Sequence, residues 1–421
     1  MIIEGTVAPG YESVRQLYEQ QMSTLKERNT QLCVYVGETC VVDLWASAID
    51  DTEFNADSLV NVFSSGKSLE SIALAALYEQ DLLDFDAPIA QYWPEFAQHG
   101  KDSITVADLM RHEAGLSAFT ETLSPQSLHP ANLRDNSVST IIERQTPLFP
   151  QSGGSPREYH AITRGWVANE LFRRVEPQGR TMGEFYRQEI STPLDADIFI
   201  GLQEDELSRL DAVHMLSPGF QLIESLKPKR FGRKMELNFA QLTGKAWRLF
   251  SARKQASRTG TPVPITGMQR LSAINQPDFA KAEIPSAGAR CSARGLAKLA
   301  ATLANGGRFG DQHILSAKGS ASLYENPIQR PMMLMDTTFT QAGLAKFGRA
   351  TGGPEDLLNQ GLHDGREGFY GWLGLGGSIF QWHPEHKIGF AYVPTSLNWL
   401  DIVNERGKRY QAEMLKCVSG D

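Results

Sequence analysis

The sequence has no run of about 18 apolar residues, so it predicts no transmembrane helix. Residues 1–5 contain neither a basic region nor an apolar stretch, and the start of the chain therefore does not resemble a secretory signal peptide. Cysteine is rare, and no two cysteines form a Cys-x-x-Cys pair; the four are Cys33, Cys40, Cys291 and Cys417. So few thiols exclude a disulfide scaffold and a zinc cluster. We expect free thiols in a reducing cytoplasm.

Positive charge is also in short supply. The chain has 41 Lys and Arg against 49 Asp and Glu, which gives a net charge of −8. This balance disfavours nucleic acid as a partner. The apolar and charged fractions are ordinary for a globular protein, and 421 residues predict two to three structural units. The composition does not indicate an oligomeric state.

Strand patterns concentrate at the two ends of the chain. Residues 33–36 and 40–45 resemble paired strands around a glycine-containing turn, which predicts a hairpin. Residues 377–382 and 388–393 predict a second hairpin near the C-terminus. Since each hairpin lies beside a predicted helix, we expect an α/β (α+β) fold. Its antiparallel sheet is built from both chain ends and is flanked by helices.

Helical patterns dominate the rest of the chain. Helices are predicted over residues 11–28, 69–83 and 398–417. The segment 96–284 has little strand signal and much helical periodicity, which predicts an inserted, mostly helical domain. The sheet-containing domain would then combine residues 1–95 with residues 285–421.

One segment, residues 227–258, differs in charge from its surroundings. It contains ten of the 41 basic residues and only one acid, Glu236. Apolar residues are interleaved with the cations: Phe231, Leu237, Phe239, Trp247, Leu249 and Phe250. This pattern predicts a lid or an amphipathic surface for anionic lipid or an acidic partner. The alternative is a solvated, partly disordered insertion.

The pattern Ser-x-x-Lys occurs three times, at Ser64–Lys67, Ser23–Lys26 and Ser251–Lys254. Residues one helical turn apart share a face, so the lysine amine of such a pair can take the proton of the serine hydroxyl. Only the Ser64 copy follows a short strand pattern and opens a strongly apolar helix. At such a junction free backbone N–H groups can bind negative charge. A helix N-cap is the alternative role for Ser64, and a solvated side chain the alternative for Lys67.

Two further features would complete a serine acylation site. Tyr159 follows the glycine- and proline-rich loop 150–156 and precedes an amphipathic helix, so it can project into a cleft and act as a base if a nearby ammonium lowers its pKa. For the neighbouring His160 we prefer a structural role. The glycine-rich run 371–378 leads into the C-terminal hairpin, where a strand-edge N–H can bind an oxyanion. Taken alone, the tyrosine predicts packing and the glycines a bulge or tight turn.

Together these features resemble the serine beta-lactamase-like hydrolases, which include class C beta-lactamases, D-alanyl-D-alanine peptidases and family VIII carboxylesterases. Ser64–Lys67 matches the first motif of that family, and Tyr159 matches the tyrosine motif. Trp372-Leu373-Gly374 matches the third motif, which is Trp-Gly-Gly in the esterases. Ancillary stretches agree at 82–94, 104–116 and 293–307. The resemblance extends from about residue 10 to about residue 395, in the order and spacing of the family.

The resemblance implies a role for each of these residues. Ser64 would attack an ester or amide carbonyl and form an acyl-enzyme, while Lys67 and Tyr159 share the proton transfers. The oxyanion would be bound by the backbone N–H groups of Ser64 and Leu375, with Trp372 and Gly374 beside the substrate. No metal or organic cofactor is implied.

Two departures from the family motifs indicate the substrate class. The asparagine that often follows the tyrosine by two positions is Ala161, and the lysine of Lys-Thr-Gly is Trp372. Both changes remove polar groups suited to anionic lactam or peptide substrates. We therefore expect a carboxylesterase for small esters, with weak beta-lactamase or peptidase activity as an alternative. The absence of a signal peptide agrees, because cell-wall peptidases work outside the cytoplasm.

Other classes fit less well. An α/β-hydrolase needs a Gly-x-Ser-x-Gly elbow, which is absent from the sequence. The run 112–116 lacks the second histidine of a zinc-protease helix. An acyltransferase would use the same acyl-enzyme, with an alcohol in place of water as acceptor. A non-catalytic binding protein has no need for Ser64, Lys67 and Tyr159 together.

Overall fold

The computed structural model describes residues 1–149, 156–240, 243–244, 262–333, 335–349, 357–398, 401 and 403–420. Within these residues the main feature is a sheet of nine strands in which every neighbouring pair is antiparallel. In spatial order the strands are β1 (Ile2–Val7), β3 (Thr39–Ser47), β2 (Asn29–Val36), β16 (Ile388–Pro394), β15 (Ile379–His383), β14 (Tyr370–Leu373), β13 (Ala345–Lys346), β12 (Met335–Phe339) and β11 (Ile328–Met332).

The two predicted hairpins meet at the centre of this sheet. Strand β16 pairs with β2, so that Phe390 lies opposite Val34 and Tyr392 opposite Leu32. The predicted antiparallel sheet built from both chain ends, flanked by helices, is therefore confirmed. Strand β1, which covers the edge of β3, and the hairpin β11–β12 at the other edge were not predicted.

Helices cover both faces of the sheet and also occur throughout the middle segment. They are α1 (Glu12–Thr24), α2 (Lys67–Glu79), α3 (Val106–Met110), α4 (Pro130–Leu133), α5 (Ser137–Arg144), α6 (Thr163–Val175), α7 (Met182–Phe185), α8 (Thr192–Leu194), α9 (Pro218–Leu226), α10 (Pro277–Lys281), α11 (Ala293–Ala304), α12 (Ala317–Ser322), α13 (Leu357–His363) and α14 (Glu405–Ser419). None of the helices in the described ranges is long and apolar enough to cross a membrane.

Side chains alternate between two hydrophobic clusters, one on each face of the sheet. On β16, Phe390 and Tyr392 face the cluster under α1 and α14, whereas Ala391 and Val393 face the larger cluster that contains α2 and α11. This alternation follows from the two-residue repeat of a strand. Because both faces are covered, β16 is buried along its whole length.

A second, smaller sheet positions the candidate nucleophile. Its order is β5 (Ile198–Ile200), β8 (Ala289–Cys291), β4 (Leu59–Asn61) and β6 (Leu210–Asp211). The remaining strands of the described residues form two pairs: β9 (Arg308–Phe309) with β10 (Gln312–His313), and β7 (His214–Met215) with β17 (Ser396–Leu397). The middle segment thus contributes short strands as well as helices. Its assignment to a separate domain stays a prediction.

Several predicted boundaries were wrong in detail. Helix α2 begins at Lys67 rather than at residue 69 and ends at Glu79 rather than at residue 83, because Asp81 takes a left-handed conformation with φ 58°. The closing helix begins at Glu405, after another left-handed residue, Asn404. The four cysteines are free thiols, and the Sγ atoms of Cys33 and Cys40 lie 3.8 Å apart across the first hairpin.

Candidate active site

Ser64 lies on a strained turn between a buried strand and a helix. Strand β4 ends at Asn61, a 3-10 turn spans Phe63–Gly66, and α2 follows directly at Lys67. Phe63 takes a positive φ of 48°, a conformation that costs a bulky residue about 1–3 kcal/mol. The turn directs Ser64 into a cavity instead of leaving it as an ordinary helix cap; no side-chain cap hydrogen bond is found at α2.

Tyr159 makes the direct contact with Ser64. The Ser64 Oγ and the Tyr159 Oη lie 2.6 Å apart, which is a short hydrogen bond between two hydroxyl groups. Burial raises the pKa of Tyr159 to about 12, although the hydrogen bond to Ser64 acts in the opposite direction. The structure therefore gives a tyrosine that keeps its proton near neutral pH. The condition under which Tyr159 would act as a base, a lowered pKa, is therefore not met.

Lys67, the first residue of α2, is fully buried. Its Nζ donates hydrogen bonds to the carbonyl oxygens of Ala161 at 2.6 Å and of Ser286 at 2.9 Å. Desolvation lowers the pKa of Lys67 well below its usual value, opposed by the charge of Glu70. A neutral amine has two N–H donors and one lone pair, so the two carbonyls use both donors. The ring centre of Tyr159 lies 5.0 Å from Nζ.

A buried ion pair between Arg164 and Glu70 lies next to Lys67. The Arg164 Nε donates to the Glu70 Oε2 at 2.7 Å, and its Nη2 donates to the Lys67 carbonyl at 2.9 Å. The Ser286 hydroxyl donates to the other oxygen of Glu70 at 2.5 Å. Both charged side chains are inaccessible to solvent. Because each is paired inside the protein, the cluster fixes α2 and α6 relative to each other.

Two histidines hold the loop that carries Tyr159. The backbone N–H of His160 donates to the His112 Nδ1 at 3.0 Å, and the Leu116 N–H donates to the His160 Nε2 at 2.9 Å. The His160 Nδ1 is therefore protonated and donates to the Glu158 carbonyl at 2.6 Å. Burial lowers the pKa of His160 to about 3, and it lowers the pKa of His112 well below its usual value. Both rings are neutral, and the His112 ring packs 5.1 Å from that of Tyr159.

The glycine-rich strand passes against the Ser64 turn. A Cβ at Gly374 would collide with the Ser378 hydroxyl and with the Val62 carbonyl, so only glycine allows this approach. The Ser378 Oγ donates to the Val62 carbonyl at 2.6 Å and lies 3.1 Å from the Ser65 Oγ. These contacts link the segment between β14 and β15 directly to the nucleophile turn.

Two backbone N–H groups at this junction have no acceptor in their own helical turn. The first hydrogen bond of the Phe63–Gly66 turn is donated by the Ser65 N–H to the Val62 carbonyl. The N–H of Ser64 precedes this bond and takes no part in the turn. Likewise the first bond of the turn 375–377 runs from Gly377 to Gly374, and the N–H of Leu375 precedes it. Such unsatisfied donors bind negative charge. Binding of an oxyanion by Ser64 and Leu375 stays a prediction.

Trp372 forms a wall of the site. Its Nε1 donates to the Gly343 carbonyl at 2.8 Å, and its ring stacks on Phe339 and on Tyr159 with centres 5.0 and 6.1 Å away. The guanidinium of Arg164 lies 5.0 Å from the ring. Because its only polar atom is engaged, Trp372 presents an apolar surface.

These groups open into a cavity of about 370 Å³. Its walls are mainly apolar and include Ile162, Met268, Leu271, Ile274, Met332, Met335, Phe339, Phe347 and Leu362. Polar side chains also line it: Thr337, Thr338, Lys346, His363, Asp401 and Asn404. The cavity fits an uncharged, largely apolar molecule better than a strongly anionic one.

The predicted residues Ser64, Tyr159, Trp372, Gly374 and Leu375 all line this cavity, and Lys67 lies beneath them. Their catalytic roles stay predictions. Four other residues of the site were not predicted from the sequence: Glu70, Arg164, Ser286 and His112. Glu70 carries a local signal, because it follows Lys67 by one helical turn. Arg164 and Ser286 carry none, since only folding brings them to the lysine.

Comparisons with known proteins agree with this geometry. A model of the beta-lactamase family matches residues 14–412. The esterase/beta-lactamase LipL of Mycobacterium tuberculosis is 28% identical over 404 residues, which cover 93% of this chain and 83% of LipL.

Solved structures extend the similarity to the whole fold. A penicillin-binding protein homologue from Caulobacter crescentus has a TM-score of 0.76 and 25% identity, covering 99% of this chain and 100% of its own. A family VIII carboxylesterase has a TM-score of 0.76 and 24% identity, with the same coverage. The family match spans the candidate nucleophile, the tyrosine and the glycine-rich strand alike, and the chain belongs to the beta-lactamase family.

Proposed function

We propose that this protein is a serine carboxylesterase that forms an acyl-enzyme on Ser64. The supporting observation is the 2.6 Å contact between the Ser64 Oγ and the Tyr159 Oη beside a buried Lys67, at the mouth of an apolar cavity. A hydroxyl group is a weak nucleophile until a neighbouring base removes its proton. Lys67 is suited to be that base because burial favours its neutral form.

The chemistry follows from the positions of these groups. The Ser64 Oγ attacks the ester carbonyl while its proton passes through the Tyr159 hydroxyl to the Lys67 amine. The carbonyl oxygen becomes an oxyanion between the N–H groups of Ser64 and Leu375. The carbon–oxygen bond to the alcohol then breaks, and the alcohol leaves with the proton. Water repeats these steps on the acyl-enzyme and releases the acid.

The site favours an ester over a lactam or a peptide. Ala161 contributes its backbone carbonyl to Lys67, and no side-chain amide stands at this position to hold a substrate amide. Trp372 takes the place of a cation that would pair with a carboxylate, and its indole N–H is already bonded. The names of the relatives, which include esterases, support the same direction.

The first test uses a short-chain p-nitrophenyl ester. We expect the purified protein to hydrolyse it and Ser64→Ala to lose activity by at least about 10³-fold, with circular dichroism and melting unchanged. Ser23→Ala is the matched control and keeps full activity. Equal hydrolysis by Ser64→Ala would exclude the mechanism.

Mass spectrometry of the protein during turnover identifies the intermediate. We expect the mass of one acyl group on the peptide that contains Ser64. A parallel assay with nitrocefin gives a weak or null signal if the site is specific for esters. Addition of a small alcohol distinguishes hydrolysis from transfer, because a transferase forms the new ester at the expense of the free acid.

A further inference from the structure

Helix α9 exposes apolar side chains and buries polar ones. Leu222, Ile223 and Leu226 are 47%, 60% and 60% exposed. The residues of this helix that face the protein are Gln221, Glu224 and Ser225. A surface helix of a globular protein normally has the opposite arrangement. The outer face of α9 therefore has apolar area with no partner in the described part of the chain.

The polar inner face holds α9 in this orientation. The Glu224 carboxylate binds the Lys227 Nζ at 2.5 Å and accepts the Lys234 N–H at 2.8 Å. The Gln221 side chain donates to the Leu216 carbonyl at 2.8 Å. Ser217 caps the start of the helix by accepting the Phe220 N–H. Rotation of α9 to bury its apolar face would break the two bonds that reach residues beyond the helix, from the Lys234 N–H to Glu224 and from Gln221 to the Leu216 carbonyl.

Exposed apolar side chains are concentrated in this region. Within the described residues, ten large apolar side chains are exposed, and six of them lie between positions 215 and 239: Met215, Leu222, Ile223, Leu226, Phe231 and Phe239. Exposed apolar side chains grouped in one part of the chain in this way indicate an interaction site. We call the exposed side of residues 215–231 the α9 surface.

Cations border the apolar side chains directly. Lys227, Lys229 and Arg230 follow α9 without an intervening acid, and all three are exposed. The Arg230 guanidinium lies 4.9 Å from the ring centre of Phe231. Glu236, the next acid along the chain, is nearly buried; its carboxylate lies 2.6 Å from Arg409 and 3.9 Å from the exposed ammonium of Lys229. Exposed apolar side chains on a helix, with lysines and arginines beside them, are typical of a surface that binds the interface of an anionic bilayer.

The α9 surface also begins close to the cavity. Met215 belongs to strand β7, which pairs with β17 (Ser396–Leu397). Leu397 packs against Gly376, and Gly376 lines the cavity next to Leu375. A surface held at this place would bring the cavity near a lipid phase.

We propose that the α9 surface binds the protein peripherally to an anionic lipid bilayer. The apolar side chains enter the boundary between headgroups and acyl chains, and the three cations lie at the headgroup level. The sequence argument considered lipid contact for residues 227–258. The structure moves the apolar part of the contact to α9, and Trp247, Leu249 and Phe250 lie outside the described residues. This proposal does not depend on catalysis.

Sedimentation with vesicles tests the proposal. We expect the full chain to bind vesicles of phosphatidylcholine with phosphatidylglycerol roughly tenfold more tightly than pure phosphatidylcholine, and to bind less at high salt. Ile223→Ser with Leu226→Ser should lose this binding. Lys229→Gln with Arg230→Gln, which leaves the Lys227–Glu224 pair intact, should bind both vesicle types equally weakly. Ser64→Ala should bind like the parent chain.

Matched controls separate this effect from a general change of surface. Ile49→Ser removes another exposed apolar side chain, and Arg308→Gln with Lys416→Gln removes two cations elsewhere; both should bind like the parent chain. Equal binding to both vesicle types by the parent chain would overturn the proposal. So would unchanged binding by the α9 variants. Concentration-dependent dimerisation that Ile223→Ser abolishes, without vesicle binding, would assign the surface to a second copy instead.

Discussion

Two copies of the same pattern, Ser64–Lys67 and Ser23–Lys26, have entirely different surroundings. Ser23 lies in the last turn of α1, is exposed and donates to the Gln20 carbonyl of its own helix. Lys26 is exposed beyond the end of that helix. Ser64 instead contacts a tyrosine, and Lys67 is excluded from water between two carbonyl oxygens. The third copy, Ser251–Lys254, lies outside the described residues.

The comparison shows that burial, more than spacing, turns this pattern into a candidate catalytic pair. Water can solvate the Lys26 ammonium from most directions. For Lys67 the protein supplies only two acceptors, which do not replace a hydration shell, so the neutral amine is favoured. Four predictions test this difference between the two Ser-x-x-Lys copies and the contacts around Ser64, in order from the largest expected effect to the smallest.

The lysines give the largest expected difference. Lys67→Met should lower kcat/KM for a p-nitrophenyl ester by about 10²–10⁴-fold, because the proton of Ser64 then has no base. Lys26→Met should leave the rate unchanged. Both rates come from initial velocities, with melting curves to verify folding. Similar rates for the two variants would remove Lys67 from the mechanism.

The second-largest effect is expected where Gly374 approaches the Ser64 turn. Gly374→Ala should force the strand away from Ser378 and Val62 and move the Leu375 N–H from the oxyanion. Loss of one such donor costs about 10²–10³-fold in kcat. Gly219→Ala is the control, since a Cβ at that position contacts nothing within 4 Å. A Gly374→Ala enzyme with normal kcat would place the oxyanion elsewhere.

The pH dependence of the rate tests the protonation of Lys67. The neutral amine is the active form, so kcat/KM should fall as the pH decreases through the pKa of Lys67, by about tenfold per pH unit. Because burial lowers this pKa, the fall begins at a lower pH than an ordinary lysine would give. The profile is measured in buffers that keep the protein folded. A rate that rises towards acid would contradict a lysine base.

The histidine behind Tyr159 gives the smallest effect. His112→Phe keeps an aromatic ring but removes the acceptor of the buried His160 N–H, which should cost about 1–3 kcal/mol of stability. We expect kcat to fall several-fold with KM nearly unchanged. His112→Asn retains an acceptor and tolerates the left-handed backbone at this position, where φ is 66°. It should recover part of both losses in melting and rate measurements.

Much of the fold was accessible from local patterns. Both hairpins, the strand before Ser64 and the apolar helix after it leave period-two or helical signals in the sequence. Strand β1 was not predicted, because Gly5 interrupts the pattern of its six residues, which lie at the edge of the sheet. Helix α2 ends just before Asp81 and α14 begins just after Asn404, and both residues take a left-handed backbone conformation. The sequence does not mark which loop residues adopt that conformation.

The candidate site divides in the same way. The sequence by itself determined the family, the serine, the lysine, the tyrosine and the glycine that allows a close approach, because each is a residue type within a local motif. Tertiary structure alone decided the protonation of the site. Arg164 and Ser286 reach Lys67 from distant parts of the chain, and the burial that shifts the pKa of Lys67 and Tyr159 requires the whole fold. Chemical identity is local, whereas solvation is a property of the packed molecule.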